Sequence, residues 1–234
     1  MVSGGFEVYQ KRLAELKERI AQACARAGRD PEDVKIVGVT KYVGVEETRS
    51  LIEAGLHDLG ENRISVAAPK LEAIPAVTGV RWHFIGHLQT NKVKDVLGHF
   101  AMIHSLDRLS LAKEISKRAV AAGLVVPCLV QVNVSGEESK GGLAPQEVAG
   151  FLQAAKELPG LAIRGLMTMA PVAEDPEAVR PVFRGLRELR DALLGQGLLA
   201  ADAQELSMGM SGDFETAVEE GATLVRIGSV LVKP

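Results

Sequence analysis

The first strand-like run of this chain is Val34-Lys35-Ile36-Val37-Gly38-Val39-Thr40-Lys41. Its β-branched residues predict a buried strand, and the run ends on a lysine. An ammonium group is costly to bury, so a lysine in this place is normally paired, deprotonated or covalently used. Lys41 could form a Schiff base with an aldehyde cofactor at the strand end, or it could extend its charged tip into water. The run alone leaves both interpretations open.

Strand-like and helix-like patterns alternate along the rest of the chain. The predicted strands are 34–41, 57–62, 80–87, 102–107, 125–134, 161–169, 205–211 and 224–231, and the predicted helices are 6–27, 45–54, 64–73, 91–97, 109–122, 145–157, 176–194 and 213–219. Strict alternation predicts parallel strands with right-handed crossovers. We therefore predict a single α/β domain, residues 1–234, folded as a (β/α)8 TIM barrel with an extra N-terminal helix. A doubly wound open sheet is the alternative, although no G-x-G-x-x-G follows the first strand.

Composition and charge argue against several classes of function. Hydrophobic residues make up 47% of the 234 and charged residues 24%, as in an ordinary globular protein. A net charge of -3 gives no electrostatic basis for binding nucleic acid or an anionic membrane. There is no run of 18 apolar residues and no signal-peptide pattern. Since Cys24 and Cys128 are typical of buried thiols in a reducing compartment, we expect a cytoplasmic protein.

Metal and hydrolase sites have no support in the sequence. His83 and His87 are four residues apart on a predicted strand, which separates them by about 13 Å, too far to bind one ion. No Cys/His cluster has the spacing of zinc ligands. The serine hydrolase pattern G-x-S-x-G and the Walker A pattern are both missing.

Function in such barrels gathers at the C-terminal ends of the strands. Those positions hold Lys41, Asn62, His87, Asp107, Asn133, Met169, Ser211 and the pair Gly228-Ser229. The loop 135–142 follows the fifth strand, and its composition predicts a flexible segment that overhangs the mouth of the barrel.

Two segments near the end of the chain indicate an anion site. Ser211 begins the turn into a short helix, and its hydroxyl and the free amides of that helix could bind phosphate. Gly228-Ser229 would add amides and a second hydroxyl from the next strand. Each segment alone is more often a helix cap or a tight bend, but two on adjacent strands match the usual phosphate site of these barrels.

Arg226 and Asn62 each have two interpretations. Arg226 lies two residues before Gly228, so it should face the same side of its strand. It could form a structural ion pair with Glu61 or Asp107, or donate to a cofactor ring nitrogen. Asn62 could hydrogen-bond a ring hydroxyl, but its position favours capping of the following helix.

Six segments together resemble the pyridoxal phosphate homeostasis proteins. They are 39–41 (VTK), 60–62 (GEN), 83–92 (HFIGHLQTNK), 165–169 (GLMTM), 207–213 (SMGMSGD) and 226–228 (RIG). The resemblance runs in order over nearly the whole chain. It implies the barrel of the alanine racemase N-terminal domain, binding of pyridoxal 5′-phosphate (PLP), no established catalytic activity and a part in vitamin B6 balance.

The resemblance also implies a set of cofactor-binding residues. They are Lys41, Asn62, Met169, Ser211, Arg226, Gly228 and Ser229. By position, Lys41 would form the Schiff base, Asn62 would lie beside the ring and Arg226 would face the pyridine nitrogen. The serine at 211 and the Gly228-Ser229 pair would hold the phosphate. Many members have Thr-Ala after Arg-Ile-Gly, whereas this chain has Ser229-Val230, which keeps a hydroxyl.

A racemase activity is the enzymatic alternative. Two-base racemisation needs a proton donor on each face of the substrate carbon, and Lys41 can serve one face. In racemases the second base is a tyrosine from another domain, and we expect no such domain because the chain ends at Pro234. Racemases also carry a histidine where Met169 stands, and a thioether cannot move protons.

We therefore predict a non-catalytic PLP-binding protein that buffers or delivers the cofactor. The family resemblance suggests a monomer, with PLP-dependent apoenzymes as recipients. A low-activity amino-acid racemase and a phosphate-binding barrel enzyme without PLP are the alternatives.

Overall fold

The computed structural model describes residues 3–76 and 79–233. Within them, eight parallel strands pair in chain order, and β8 closes the ring by pairing with β1, Ile36 opposite Val225. The strands are β1 (Lys35–Val39), β2 (Asp58–Glu61), β3 (Arg81–Phe84), β4 (Met102–Leu106), β5 (Val126–Gln131), β6 (Leu161–Met167), β7 (Glu205–Ser207) and β8 (Leu224–Ile227). The predicted barrel is confirmed, and the closing pair excludes the open sheet.

Helices cover the outside of the barrel. They are α1 (Ser3–Ala27), α2 (Val45–Glu53), α3 (Ile64–Ala73), α4 (Val93–Val96), α5 (Leu109–Ala122), α6 (Val148–Ala155), α7 (Arg180–Gly195), α8 (Phe214–Glu219) and α9 (Ser229–Val232). The extra helix α1 buries Leu13, Leu16 and Ile20 at helical spacing. Salt bridges from Arg19 to Glu215 and from Arg26 to Glu219 join α1 to α8. None of the helices in the described ranges is long and apolar enough to cross a membrane.

Strand alternation sorts side chains into two apolar clusters. Val37, Leu129, Met167 and Leu224 pack together inside the barrel. The opposite faces of the strands pack against the helices in a larger cluster. Because side chains alternate, the inward series that contains Val37 continues to residue 41, and this places Lys41 at the mouth.

The end of the chain differs from its prediction. The sequence predicts a strand through Leu231, but β8 ends at Ile227 and α9 begins at Ser229. Gly228 ends the strand with φ -113 and ψ -84, and its carbonyl accepts hydrogen bonds from the N–H groups of Leu231 and Val232. The apolar composition of 229–232 is typical of a strand, but this tight turn makes it a helix.

Candidate functional site

The C-terminal ends of the strands surround a cavity of about 420 Å³, within the usual range for a small cofactor. Four predicted site residues line it: Lys41, Asn62, Met169 and Arg226. The loop after β5 contributes Glu138–Gly141 to the wall. The prediction that this loop overhangs the mouth is therefore confirmed.

Lys41 is half-buried in this cavity, directly after the buried Thr40. Its Nζ lies 4.9 Å from the centroid of the Tyr42 ring, a cation–π distance. No carboxylate of the described residues pairs with it. The backbone beneath it is anchored instead, since Thr40 Oγ1 donates to Glu61 Oε1 at 2.6 Å and the Thr40 carbonyl accepts from Lys70 Nζ at 2.5 Å. The amine is thus held at the mouth without a competing counter-ion.

Arg226 is buried on β8 and has neither of the ion pairs considered from the sequence. Its Nη1 donates to Ser207 Oγ at 2.6 Å, and its Nη2 donates to the Thr168 carbonyl at 3.0 Å. Burial lowers the pKa of Arg226 to about 10, against the raising effect of the Asp213 charge. The guanidinium therefore stays a cation at neutral pH.

The two acids that were candidate partners of Arg226 are engaged elsewhere. Glu61 points outward from β2 and pairs with Lys70 of α3 at 2.5 Å. Asp107 pairs with Arg108 at 2.6 Å and lies 3.8 Å from His87. The structural ion-pair interpretation of Arg226 is wrong, since Ser207 and a backbone carbonyl supply its acceptors.

Asn62 does not cap the helix that follows it. The N-cap of α3 is Arg63, and Asn62 lines the mouth cavity and a neighbouring cavity of about 490 Å³. Gly86 lines both cavities as well, and a Cβ there would overlap the Asn62 backbone. The capping interpretation of Asn62 is therefore wrong. Because Gly86 has no side chain, the Asn62 backbone can pack directly against it.

The predicted phosphate-binding residues lie together beside the cavity. Ser211 Oγ accepts hydrogen bonds from the N–H groups of Gly228 and Val230, both at the long distance of 3.3 Å. Asp213 accepts from the Met210 amide at 2.7 Å, and burial raises the pKa of its carboxyl. The Ser229 side chain is exposed at the start of α9. None of these three predicted residues, Ser211, Gly228 and Ser229, is among those that line the cavity, whereas Met210, next to Ser211, and Arg226, two residues before Gly228, do line it.

Sequence reasoning missed four polar side chains inside the barrel: Asp58, His83, His104 and Ser207. They are all buried and joined to one another by hydrogen bonds, with Ser207 bonded to Arg226. The sequence analysis considered His83 only with His87. Strand alternation was the available signal, since Asp58, His83 and His104 share the inward faces of three consecutive strands.

The donor set fits PLP. Lys41 offers a primary amine for an aldehyde, and Arg226 offers a buried cation for a ring nitrogen. Ser211 and the amides of Gly228 and Val230 offer hydroxyl and N–H groups for a phosphate. In the parts of the chain described, no three His, Cys, Asp or Glu residues could hold a metal ion.

Comparison with known proteins gives the family. The profile of the family described as "Alanine racemase, N-terminal domain" matches residues 12–234. A pyridoxal phosphate homeostasis protein of Aquifex aeolicus is 49% identical over 94% of this chain and 96% of its own length. This chain belongs to the pyridoxal phosphate homeostasis protein family. The family's protein in Escherichia coli strain K12 is 36% identical over 94% of this chain and 93% of its own length.

Solved structures agree with this assignment. PipY of Synechococcus elongatus, solved with PLP bound, has a TM-score of 0.84 and 31% identity, covering 95% of this chain and 99% of PipY. An alanine racemase of Clostridium difficile shares the fold, with a TM-score of 0.70 and 16% identity, and covers 92% of this chain and 57% of the racemase. The family membership predicted from the six segments is confirmed.

Proposed function

We propose that this protein binds PLP through a Schiff base on Lys41 and serves PLP homeostasis by holding or delivering the cofactor. When bound, PLP supplies an aldehyde for a primary amine and a phosphate for anchoring. One observation carries the proposal: Lys41 is a half-buried lysine with no carboxylate partner among the described residues, and it lies in the same cavity as Arg226 and Asn62. The names of the family's relatives and the PLP bound to PipY support it.

Each remaining residue has a part in this proposal. Arg226 faces the ring nitrogen as a donor, because a guanidinium with a pKa of about 10 keeps its proton. Asn62 and Met169 border the ring. The amides of Gly228 and Val230, which now donate long hydrogen bonds to Ser211, would bind the phosphate together with the hydroxyls of Ser211 and Ser229.

The side chains near Lys41 favour holding the cofactor over racemisation. Tyr42 is 75% exposed and follows Lys41 directly, so it approaches from the same strand end. Tyr9 is buried in α1. The Met169 sulfur lies 3.4 Å from Arg226 Nη2, and a thioether sulfur cannot transfer a proton. These positions supply no tyrosine base for the second face of a substrate, so we propose a non-catalytic protein.

An open mouth suits transfer of the cofactor to other proteins. Exchange of a Schiff base would need an incoming amine to reach the imine carbon and release the lysine amine, and the exposed Tyr42 shows that the rim beside Lys41 is accessible. We therefore propose PLP-dependent apoenzymes as recipients, with this protein acting as a cytoplasmic monomer.

The experiment is a titration of the purified protein with PLP, followed by visible absorbance. We expect a stoichiometric band in the wild type and its loss in Lys41→Ala, with Lys140→Ala as the control for a cavity lysine on the loop. Full colour in Lys41→Ala would remove Lys41 as the anchor. Steady conversion of L-alanine to D-alanine by the loaded protein would instead establish the racemase.

A further inference from the structure

A chain of hydrogen bonds crosses the barrel interior from the mouth to the opposite end. It joins Arg226 Nη1 to Ser207 Oγ at 2.6 Å, Ser207 Oγ to His104 Nδ1 at 2.8 Å, His104 Nε2 to His83 Nδ1 at 2.8 Å, and His83 Nε2 to Asp58 Oδ1 at 2.8 Å. Five strands contribute one residue each. All five side chains are buried, and Asp58 is the most exposed at 7%. Because polar side chains are costly to bury, five of them in one interior need an explanation other than hydrophobic packing.

Donor counting gives the chain a direction. A guanidinium can only donate, so Ser207 Oγ accepts from Arg226 and its own proton goes to His104 Nδ1. His104 then carries its proton on Nε2 and donates to His83, which donates from Nε2 to the Asp58 carboxylate. Both rings are neutral in this arrangement and every link is satisfied. In the reverse arrangement, Arg226 and His104 would both donate to Ser207, whose own proton has no acceptor among the described residues.

The charges at the two ends maintain this direction. Asp58 receives two further bonds from Arg81, at 2.8 and 2.6 Å. Burial tends to raise the pKa of Asp58, but the hydrogen bonds from His83 and Arg81 outweigh it and hold that pKa well below its ordinary value. Burial above all keeps the pKa of His104 well below its ordinary value, and the positive charge of Arg226 lowers it further. A cation at the mouth and a carboxylate at the far end thus polarise neutral groups between them.

We infer that Ser207, His104, His83 and Asp58 are positioning residues that hold the Arg226 guanidinium in one orientation toward the mouth cavity. This inference rests on the proposed function, because the ring nitrogen of PLP is the group that Arg226 would meet there. Among the described residues, the other hydrogen bonds of this guanidinium, to the Thr168 carbonyl and the Met169 sulfur, both come from Nη2. Without Ser207, the Nη1 side loses its acceptor and the plane of the guanidinium is free to turn.

The chain of hydrogen bonds also connects the two ends of the barrel. Asp58 and Arg81 line a cavity of about 410 Å³ at the N-terminal ends of the strands, opposite the mouth. A change of charge at Asp58 should therefore alter the environment of Arg226, although no direct contact joins the two residues.

The first test needs no cofactor and no substitution. Nitrogen-15 NMR of the histidine rings in the PLP-free protein should show His83 and His104 neutral, each protonated on Nε2 and accepting on Nδ1. The Arg226 guanidinium should give slowly exchanging side-chain signals. A proton on Nδ1 of His104, or a cationic ring at neutral pH, would overturn the assigned direction.

The second test compares two buried serines. Ser207→Ala removes the acceptor of Arg226 Nη1, whereas Ser105→Ala removes a hydroxyl that is equally buried on β4 but has no hydrogen-bond partner among the described residues. In the PLP-free protein we expect the slow Arg226 signals to persist in Ser105→Ala and to disappear in Ser207→Ala. In the loaded protein we expect Ser207→Ala to bind PLP roughly tenfold more weakly, the effect of one charged hydrogen bond, with a shifted visible band, and Ser105→Ala to match the wild type.

A third variant covers the case in which Ser207→Ala does not fold. Asp58→Asn keeps the shape and removes the distant charge, and we expect a smaller band shift in the same direction. Identical Arg226 signals and identical bands in all variants would reject the inference while leaving PLP binding intact. A wild type that takes up no PLP would reject the proposed function, and the NMR comparison of Ser207→Ala with Ser105→Ala would still decide whether the chain positions Arg226.

Discussion

Two lysines at the same end of the barrel have opposite surroundings. Lys70, on α3, is 2% exposed and bonds both the Glu61 carboxylate and the Thr40 carbonyl at 2.5 Å. Lys41 follows Thr40 directly, but it is half-buried in the cavity, where it contacts the Tyr42 ring and has no carboxylate partner among the described residues. The wall of the barrel thus contains a paired lysine, and the mouth contains an unpaired one. A lysine whose charge is satisfied stabilises the fold, while one without a partner is available for covalent chemistry.

The largest effect should come from the paired lysine. Lys70→Met leaves the Glu61 carboxylate buried without its cation, and one of its oxygens, Oε2, already has no hydrogen-bond partner in the described parts of the chain. We expect a loss of about 3–5 kcal/mol in the free energy of unfolding, measured by urea denaturation. The double variant Lys70→Met/Glu61→Gln should recover part of that loss because the unpaired charge is gone. A loss below about 1 kcal/mol would contradict the role given to Lys70.

His104, buried inside the barrel, should make stability depend on pH. The pKa of His104 is lowered by burial, so unfolding takes up a proton and the folded state weakens as pH falls below the ordinary histidine pKa of about 6.5. Between pH 6.5 and 5 we expect a loss of about 2 kcal/mol. Urea denaturation of His104→Asn should show a weaker dependence, and the exposed His99→Asn should keep that of the wild type. Equal pH dependence in both variants would refute this origin.

The stability of the mouth and its binding of PLP should depend on close backbone packing more than on ion pairs. Gly86→Ala would push the Asn62 backbone away, and we expect about 1–2 kcal/mol of lost stability with weaker PLP binding. Gly150→Ala is the control, because a Cβ in that α6 position meets nothing within 4 Å. Calorimetry of both variants, with PLP titration, measures the two effects. Unchanged PLP binding in Gly86→Ala would show that Asn62 is not a contact.

The smallest effect on stability should come from Lys41 itself. Its cation–π contact with the exposed Tyr42 contributes at most about 0.5–1 kcal/mol. Lys41→Ala should therefore unfold at nearly the same urea concentration as the wild type, in contrast to Lys70→Met. If the two variants lost equal stability, the distinction between a structural and an available lysine would be wrong.

The architecture could be predicted from the sequence because alternating patterns reflect local physics. Eight strand-like runs separated by helical runs permit few topologies. Lys41, Asn62 and Met169 could be placed at one mouth from their positions at strand ends, and Arg226 from strand alternation before Gly228. The order of motifs along the chain was then enough to predict the family.

Contacts across the barrel could not be predicted in the same way. His83 meets His104 on the neighbouring β4, whereas Ser207 comes from a strand 103 residues further along the chain than His104. Such pairs depend on strand register, which the sequence does not display. Strand alternation alone could have predicted the orientation of Glu61. Because Asp58 and Gly60 face inward, Glu61 must face outward, toward Lys70.

The charged helix α7 shows the same limit. Its many arginines and its acidic residues are typical of a solvated face, but Arg180, Arg184 and Arg187 converge on Glu220, which is 4% exposed. Burial alone would raise the pKa of Glu220. The hydrogen bonds and charges of these arginines outweigh burial, so the pKa of Glu220 is lowered. A charge pattern on one helix cannot reveal a carboxylate brought to it by the end of α8.

The most direct measurement is to reduce the PLP-loaded protein with borohydride and map the modified peptide by mass spectrometry. The account predicts one pyridoxyl group, on Lys41, with Lys70 and Lys140 unmodified at stoichiometric loading. A label on another lysine, or a protein that takes up no PLP, would contradict it.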